Sequence, residues 1–167
     1  MTEVTKKTNR NHGAIPISSE IELEIDRTRI ITVLCVHDNP MFLERLCRQL
    51  ERRGDLSVDT STSVEDALHL MKYVLFDVIV TDYINKPDEK NGFLKIVRNQ
   101  GNAVPFIYFI HIRNAEIETE ARVYSAVYVV EWEEETLSRR FDDLYLSVKQ
   151  AVAKSRRGNA SRQGVLF

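Results

Sequence analysis

The chain has 167 residues, 43% of them hydrophobic and 29% charged, with a formal net charge of -2. This suffices for one domain with a sizeable core, and the charge favours neither nucleic acid nor an anionic membrane as a partner. No apolar run approaches the length of a membrane span, and the N-terminus lacks the apolar segment of a secretory signal. The two cysteines, Cys35 and Cys47, lie in apolar patterns, which predicts reduced thiols of a cytoplasmic protein.

Apolar runs alternate with helical patterns along the middle of the chain. Residues 30–36 (IITVLCV) form a continuous apolar run, typical of a strand buried on both faces of a parallel sheet. Further strands are predicted at residues 56–61, 77–81, 104–110 and 126–130, and helices at residues 39–54, 63–74, 92–101, 114–125 and 133–157. Asn39 is suited to cap the first helix, and Ser63 the second.

Five successive strand–helix units predict an α/β fold, because right-handed crossovers then give a parallel sheet covered by helices on both faces. We expect residues 29–157 to form this domain, residues 1–28 to be a flexible extension and residues 158–167 to be a basic tail. Ligands of such sheets collect at the carboxyl ends of the strands. Asp38 and Asp82 follow two predicted strands, whereas glycine-rich phosphate-binding motifs are absent from the sequence.

Four segments resemble the receiver domain of two-component response regulators: VLCVHDNPMFLERL, FDVIVTDYIN, VPFIYFI and AVYVVEW. The resemblance extends over roughly residues 30–157 and is closest to receivers that stand alone. It implies a flavodoxin-like three-layer sandwich with a five-stranded parallel sheet in the order 2-1-3-4-5. It also implies phosphorelay signalling, in which a sensor histidine kinase passes a phosphoryl group to an aspartate with the help of Mg²⁺.

The family pattern is matched only in part. The resemblance places Asp82 at the phosphoacceptor position, Asp38 at the second position of the Mg²⁺-binding acidic pair, and the backbone carbonyl of Ile84 at the third metal ligand. Tyr128 falls near the position of the switch aromatic. The other positions depart from the pattern: the first acid of the pair, the threonine, the small residue after it and the lysine are replaced by His37, Ile110, His111 and either Glu131 or Trp132.

These departures predict an impaired phosphorylation switch. Phosphoryl transfer needs preorganised positive charge and hydrogen-bond donors around the phosphoryl oxygens. Ile110 cannot donate a hydrogen bond, and a carboxylate at residue 131 would repel the group. We therefore expect Asp38 and Asp82 to lie close together, Mg²⁺ to bind weakly, and at least one carboxyl to have a raised pKa unless a cation or protonated His37 lies between them.

Simpler interpretations remain open for the same residues. Asp82 could merely end a strand and bond the next loop, and Trp132 could be a loop aromatic packed over the rim, or one that plugs the site or anchors a partner. His37 and His111 could be ordinary surface histidines. Alternatively, these two imidazoles could form a transition-metal site with Asp38 and Asp82, since that donor set suits such metals better than Mg²⁺.

Three classes of function follow: a receiver that still accepts phosphate, a phosphate-independent pseudo-receiver that serves as an interaction or scaffold module, and a small enzyme. The third has no nucleophile–base pair or cofactor motif behind it, so we expect no enzymatic activity. The sequence shows no DNA-binding or enzymatic output domain, so we expect output through protein contacts, including a homodimer formed by the fourth helix, fifth strand and fifth helix. The segment EIELEID is expected not to pair beside the first strand, whose neighbours are both taken.

Overall fold

The computed structural model describes residues 29–82 and 92–163, with side chains described as far as residue 161. The strands are β1 (Ile31–Val36), β2 (Leu56–Ser61), β3 (Val78–Thr81), β4 (Phe106–Ile110) and β5 (Val127–Glu131). The helices are α1 (Pro40–Glu51), α2 (Val64–Leu70), α3 (Phe93–Asn99), α4 (Ala115–Val123) and α5 (Leu137–Gln163), with a short 3-10 helix (Glu134–Thr136) before α5. No described helix is both long enough and apolar enough to cross a membrane.

The five strands form one parallel sheet in the order β2-β1-β3-β4-β5, which confirms the predicted fold class and strand order. β1 is hydrogen-bonded to β2 on one side and to β3 on the other. Its two edges are therefore occupied, as the expectation for EIELEID requires. That segment and the carbonyl of Ile84 lie outside the described residues.

Side-chain caps begin the helices where the sequence predicted them. The Asn39 side chain accepts hydrogen bonds from the first-turn backbone of α1, and Ser63 does the same for α2. The turn after α1 contains Gly54 with φ 78°, a left-handed conformation that glycine adopts without strain. α5 runs to Gln163, six residues past the predicted domain end at residue 157, because Gly158 is the only poor helix former in a stretch of otherwise tolerated residues.

The core consists of two apolar clusters, one on each face of the sheet. The first lies between the sheet and helices α1 and α5, with Leu46 and Leu144 at its centre. The second lies between the sheet and helices α2, α3 and α4, with Ile79 and Phe106 fully buried. The inner strands carry apolar residues on both faces, which the helices cover. The polar residues that follow the strands lie beyond these covered faces, at the carboxyl edge of the sheet.

Candidate functional site

The site lies at the carboxyl edge of the sheet, where β1 and β3 end side by side. The pairing of Val36 with Thr81 brings the next residues, His37 and Asp82, next to each other. The side chains of His37 and Asp82 are 15% and 23% exposed, whereas that of Asp38 is 73% exposed. The predicted proximity of the two aspartates is therefore found, with a histidine between them.

His37 contacts both aspartates through opposite sides of its ring. Its Nε2 lies 3.1 Å from Oδ2 of Asp82, and its Nδ1 lies 3.3 Å from Oδ1 of Asp38. Nδ1 also accepts a hydrogen bond of 2.9 Å from the backbone N–H of Asn39. The ring packs against Phe42 with a centroid separation of 4.5 Å. The imidazole is thus oriented from three sides.

Asp82 is held in an environment that disfavours its charge. Burial raises the pKa of its carboxyl above the usual value, the positive charge of a protonated His37 opposes that rise, and the nearby Asp38 adds to it. Burial is therefore a larger cause of the raised pKa than the predicted repulsion between the carboxylates. Its Oδ1 is buried and has no hydrogen-bond partner among the described residues. Buried carboxylate oxygens without a hydrogen-bond partner are costly.

The donor set fits a hard divalent cation only in part. His37, Asp38 and Asp82 each offer a ligand atom, and these atoms lie within 4.8 Å of one another. The two carboxylates suit Mg²⁺, which prefers oxygen ligands, whereas the imidazole does not. His111 is not a member of this group, so among the described residues the four-ligand transition-metal site that the sequence allowed is not assembled.

The two predicted switch positions lie on opposite faces of the sheet. Ile110, at the end of β4, is 4% exposed and belongs to the cluster beneath α2, α3 and α4. Tyr128, on β5, packs against the cluster beneath α1 and α5. Ile110 has no hydroxyl that could donate a hydrogen bond to a phosphoryl oxygen.

The lysine position is occupied by residues with other partners. Glu131 ends β5 opposite Ile110, and its carboxylate is ion-paired with Nε of Arg113. The next residue, Trp132, turns its ring inward and stacks on Phe42 with a centroid separation of 5.4 Å. His111 packs on Trp132 and its Nδ1 lies 2.9 Å from the Trp132 carbonyl oxygen. Trp132 therefore packs over the rim, and His111 is directed towards it.

A small cleft of about 40 Å³ opens beside Asp82, and part of its wall was not foreseen from the sequence. Besides the three site residues, it is lined by Thr62 and Ser63 from the end of β2 and by Tyr108 from β4. The phenol of Tyr108 donates a hydrogen bond of 2.7 Å to Glu120 on α4. A tyrosine inside an otherwise apolar strand was the signal that could have indicated this buried polar link.

Comparison with known proteins gives a match in structure but not in sequence. No protein-family model and no curated protein matches the chain. The receiver domain of the Francisella response regulator 1452 superposes with a TM-score of 0.60 at 20% identity, over 75% of this chain and 98% of its own. The signal receiver domain of an HD domain-containing protein from Pseudomonas fluorescens gives 0.61 at 16% identity, over 77% and 99%.

A chemotaxis protein of Vibrio cholerae, CheY4, superposes with a TM-score of 0.55 at 23% identity, over 68% of this chain and 98% of its own. The three neighbours are covered almost completely, so the similarity extends over the whole receiver domain and not a shared substructure. Residues 29–82 and 92–163 of this chain therefore have the fold of a response-regulator receiver domain.

Proposed function

We propose that this protein acts in two-component signal transduction as a receiver-like module, with Asp82 as the candidate phosphoacceptor and with an impaired switch. The observation that carries the proposal is the position of Asp82: it follows β3 at the carboxyl edge of a receiver fold, beside Asp38, and its buried Oδ1 has no hydrogen-bond partner among the described residues. In an open parallel sheet this edge is where chemistry is placed. The signal would leave through contacts with other proteins, and we propose a cytoplasmic location.

The impairment follows from the groups around Asp82. A phosphoryl group on this carboxylate would carry negative charge that a lysine and a hydroxyl normally stabilise, whereas Glu131 and Ile110 stand at the corresponding strand ends. Loss of one preorganised donor typically slows a reaction by a factor of about 100 to 1,000. We therefore expect slow phosphoryl transfer from a sensor histidine kinase, and no threonine-dependent transmission of the phosphorylated state.

Mg²⁺ would be bound by the carboxylates of Asp38 and Asp82, and when bound it would neutralise charge on the phosphoryl oxygens. The binding would be weak, since Asp38 is largely exposed and the third carboxylate of the usual set is missing. The protein's own residues would orient the phosphoryl group. Thr81 donates a hydrogen bond of 2.8 Å to the backbone carbonyl of Asp82 and so supports the end of β3.

A second function is favoured by the same departures. A pseudo-receiver keeps the fold as an interaction or scaffold module and signals without phosphate, which agrees with the apolar Ile110 and the Arg113–Glu131 ion pair at the switch positions. The transition-metal function considered from the sequence loses its main support because His111 bonds to Trp132 instead. We propose no enzymatic activity for the module.

Mass spectrometry after incubation with a small-molecule phosphodonor and Mg²⁺ tests the proposal. We expect slow addition of one phosphoryl group to the wild type and none to Asp82→Asn, with Asp38→Asn slower than the wild type. If the wild type instead reacts with a kinase within seconds and Asp82→Asn abolishes output, the impaired-switch proposal is wrong and an ordinary receiver remains. Phosphorylation at another residue would remove Asp82 from its proposed role.

Partner binding separates the two functions. For the pseudo-receiver, Asp82→Asn should bind a signalling partner as tightly as the wild type does, because the contact surface is independent of phosphate. For the receiver, the two proteins should differ in affinity once phosphodonor is present. The partner is identified by crosslinking in cell extract and then measured in purified form, so that the comparison concerns one defined complex.

A further inference from the structure

We propose that the acidic segment of residues 20–26 (EIELEID), which precedes the described domain, docks in a groove between α5 and the amino edge of the sheet. The inference goes beyond the proposed function, because this groove lies at the opposite end of the strands from Asp82. It rests on the lining of the groove, on the place where the described chain begins and on the pattern of the segment.

The groove has a volume of about 340 Å³ and lies where β1, β3 and β4 begin. One wall is formed by α5, from residues at helical spacings of three and four that share one face of the helix: Val152, Ser155, Arg156 and Asn159. The other wall is the turn of residues 102–105 that precedes β4. The lining thus combines apolar side chains, such as Phe76 and Val104, with polar and charged ones.

Two arginines and one aspartate carry the charges of the groove. Nη2 of Arg29 lies 3.8 Å from Oδ1 of Asp77, and Nη2 of Arg156 lies 3.9 Å from the same oxygen. The other oxygen of Asp77 accepts hydrogen bonds from the backbone N–H and the hydroxyl of Thr32, at 2.9 and 3.1 Å. Asp77 is the only acid among the described residues that line the groove, so the lining has a positive excess that favours an anionic occupant.

The described chain begins at this groove. Arg29 is both its first residue and part of the lining, so the preceding segment is tethered there. Asp26 is three residues before Arg29, and at about 3.5 Å per extended residue their Cα atoms are at most about 11 Å apart. A short tether gives an effective concentration on the order of millimolar, so docking requires only a weak intrinsic affinity.

The pattern of the segment matches the mixed lining of the groove. Ile21, Leu23 and Ile25 alternate with four acids, and the segment contains no basic residue. In an extended chain this period places the apolar side chains on one side and the carboxylates on the other. The apolar side suits Phe76 and Val104, and the carboxylates suit the two arginines. Seven extended residues span about 23 Å, enough to follow the α5 wall, whose seven-residue rise is about 11 Å.

Hydrogen–deuterium exchange of residues 20–26 in the full-length protein tests the proposal. We expect their amides to exchange more slowly than in the urea-unfolded chain, and equally at low and high protein concentration. Asn159→Glu adds a negative charge to the α5 wall and should speed this exchange about two- to fivefold, the scale on which a partly exposed charge pair acts. Arg157→Gln makes the same change in net charge at an exposed position of α5 that does not line the groove, and it should have a smaller effect.

The apolar side of the segment is tested by Leu23→Ser, which should also speed the exchange, whereas Ile17→Ser, outside the segment, should not. Circular dichroism checks that each variant is folded. Wild-type exchange at the unfolded rate, equal effects of Asn159→Glu and Arg157→Gln, or equal effects of the two serine variants would each overturn the proposal. Protection that grows with protein concentration would also overturn it and would assign the segment to a second copy. None of these measurements involves phosphorylation.

Discussion

Arg113 and Glu131 form an ion pair at the carboxyl edge of the sheet, joining the segment after β4 to the end of β5. Both side chains are about half exposed, 49% and 45%, so solvent screens the pair. Glu131, which departs from the family pattern in the sequence, is therefore paired with a nearby cation. At this edge of the sheet the two charges of the pair neutralise each other.

Reversing one charge of this pair should have a small effect on stability. We expect Glu131→Lys to lower the free energy of unfolding by no more than about 1 kcal/mol, since exposed pairs contribute about that much or less. The double variant Arg113→Glu with Glu131→Lys should recover the loss. Urea denaturation of the wild type, the two single variants and the double variant gives the coupling energy. A coupling energy well above about 1 kcal/mol would show that the pair is structurally essential.

Removing the phenol of Tyr108 should be more costly. Tyr108 is 2% exposed and donates to the Glu120 carboxylate, and hydrogen bonds to charged groups contribute about 1.5 to 3 kcal/mol. We expect Tyr108→Phe to lose about 1.5 kcal/mol, near the lower end because Glu120 is only half-buried. Tyr124→Phe, a residue packed on the same cluster, is the control. Equal losses in urea denaturation for both variants would contradict the role given to the Tyr108–Glu120 bond.

Asp55 should make stability depend on pH in acid. Burial raises the pKa of its carboxyl, but hydrogen bonds from Lys149 at 2.8 Å and Tyr145 at 2.6 Å outweigh this and lower it overall. A lowered folded pKa contributes stability above the unfolded value of about 3.9 and loses it as pH falls through the folded pKa. Asp55→Asn should therefore flatten the pH profile below about pH 4. Asp59→Asn, at an exposed position on β2, is the control variant.

Asp82 should act in the opposite direction. Because burial raises its folded pKa, its contribution to stability is present below the unfolded pKa and is lost as pH rises through the folded pKa. We expect Asp82→Asn to be more stable than the wild type at pH 7, with the difference vanishing below about pH 4. Thermal unfolding at both pH values measures this, and a less stable variant at pH 7 would show that the electrostatic attraction between Asp82 and His37 outweighs burial.

The contact surface formed by α4, β5 and α5 remains a prediction. Arg140 pairs with Asp143 at 3.0 Å within its own helix, while Arg139 is exposed. If two copies associate through this face, reversing both arginines to glutamate should weaken the dimer in sedimentation velocity, whereas Arg52→Glu at the end of α1 should not. Dimerisation unaffected by the double change would place the interface elsewhere.

Local patterns in the sequence determined the elements and their order. A run such as residues 30–36 is apolar at every position but Thr32, which favours a strand covered on both faces, and Asn39 and Ser63 cap where short-range hydrogen bonding favours them. Five such units in succession leave few topologies, so the parallel sheet followed. The same reasoning predicted that Asp38 and Asp82 lie at one edge. Each follows a strand, and the carboxyl ends of parallel strands meet at the same edge of the sheet.

The tertiary structure decided how side chains from different elements meet, since those contacts depend on register and packing that no short-range pattern encodes. The pairing of β1 with β3 placed Nε2 of His37 3.1 Å from Asp82, and Nδ1 of the same ring accepts the backbone N–H of Asn39. Packing also directed His111 to Trp132 and away from the carboxylates. The sequence determined which groups reach the site; the pairing of β1 with β3 determined that an imidazole lies between the two carboxylates.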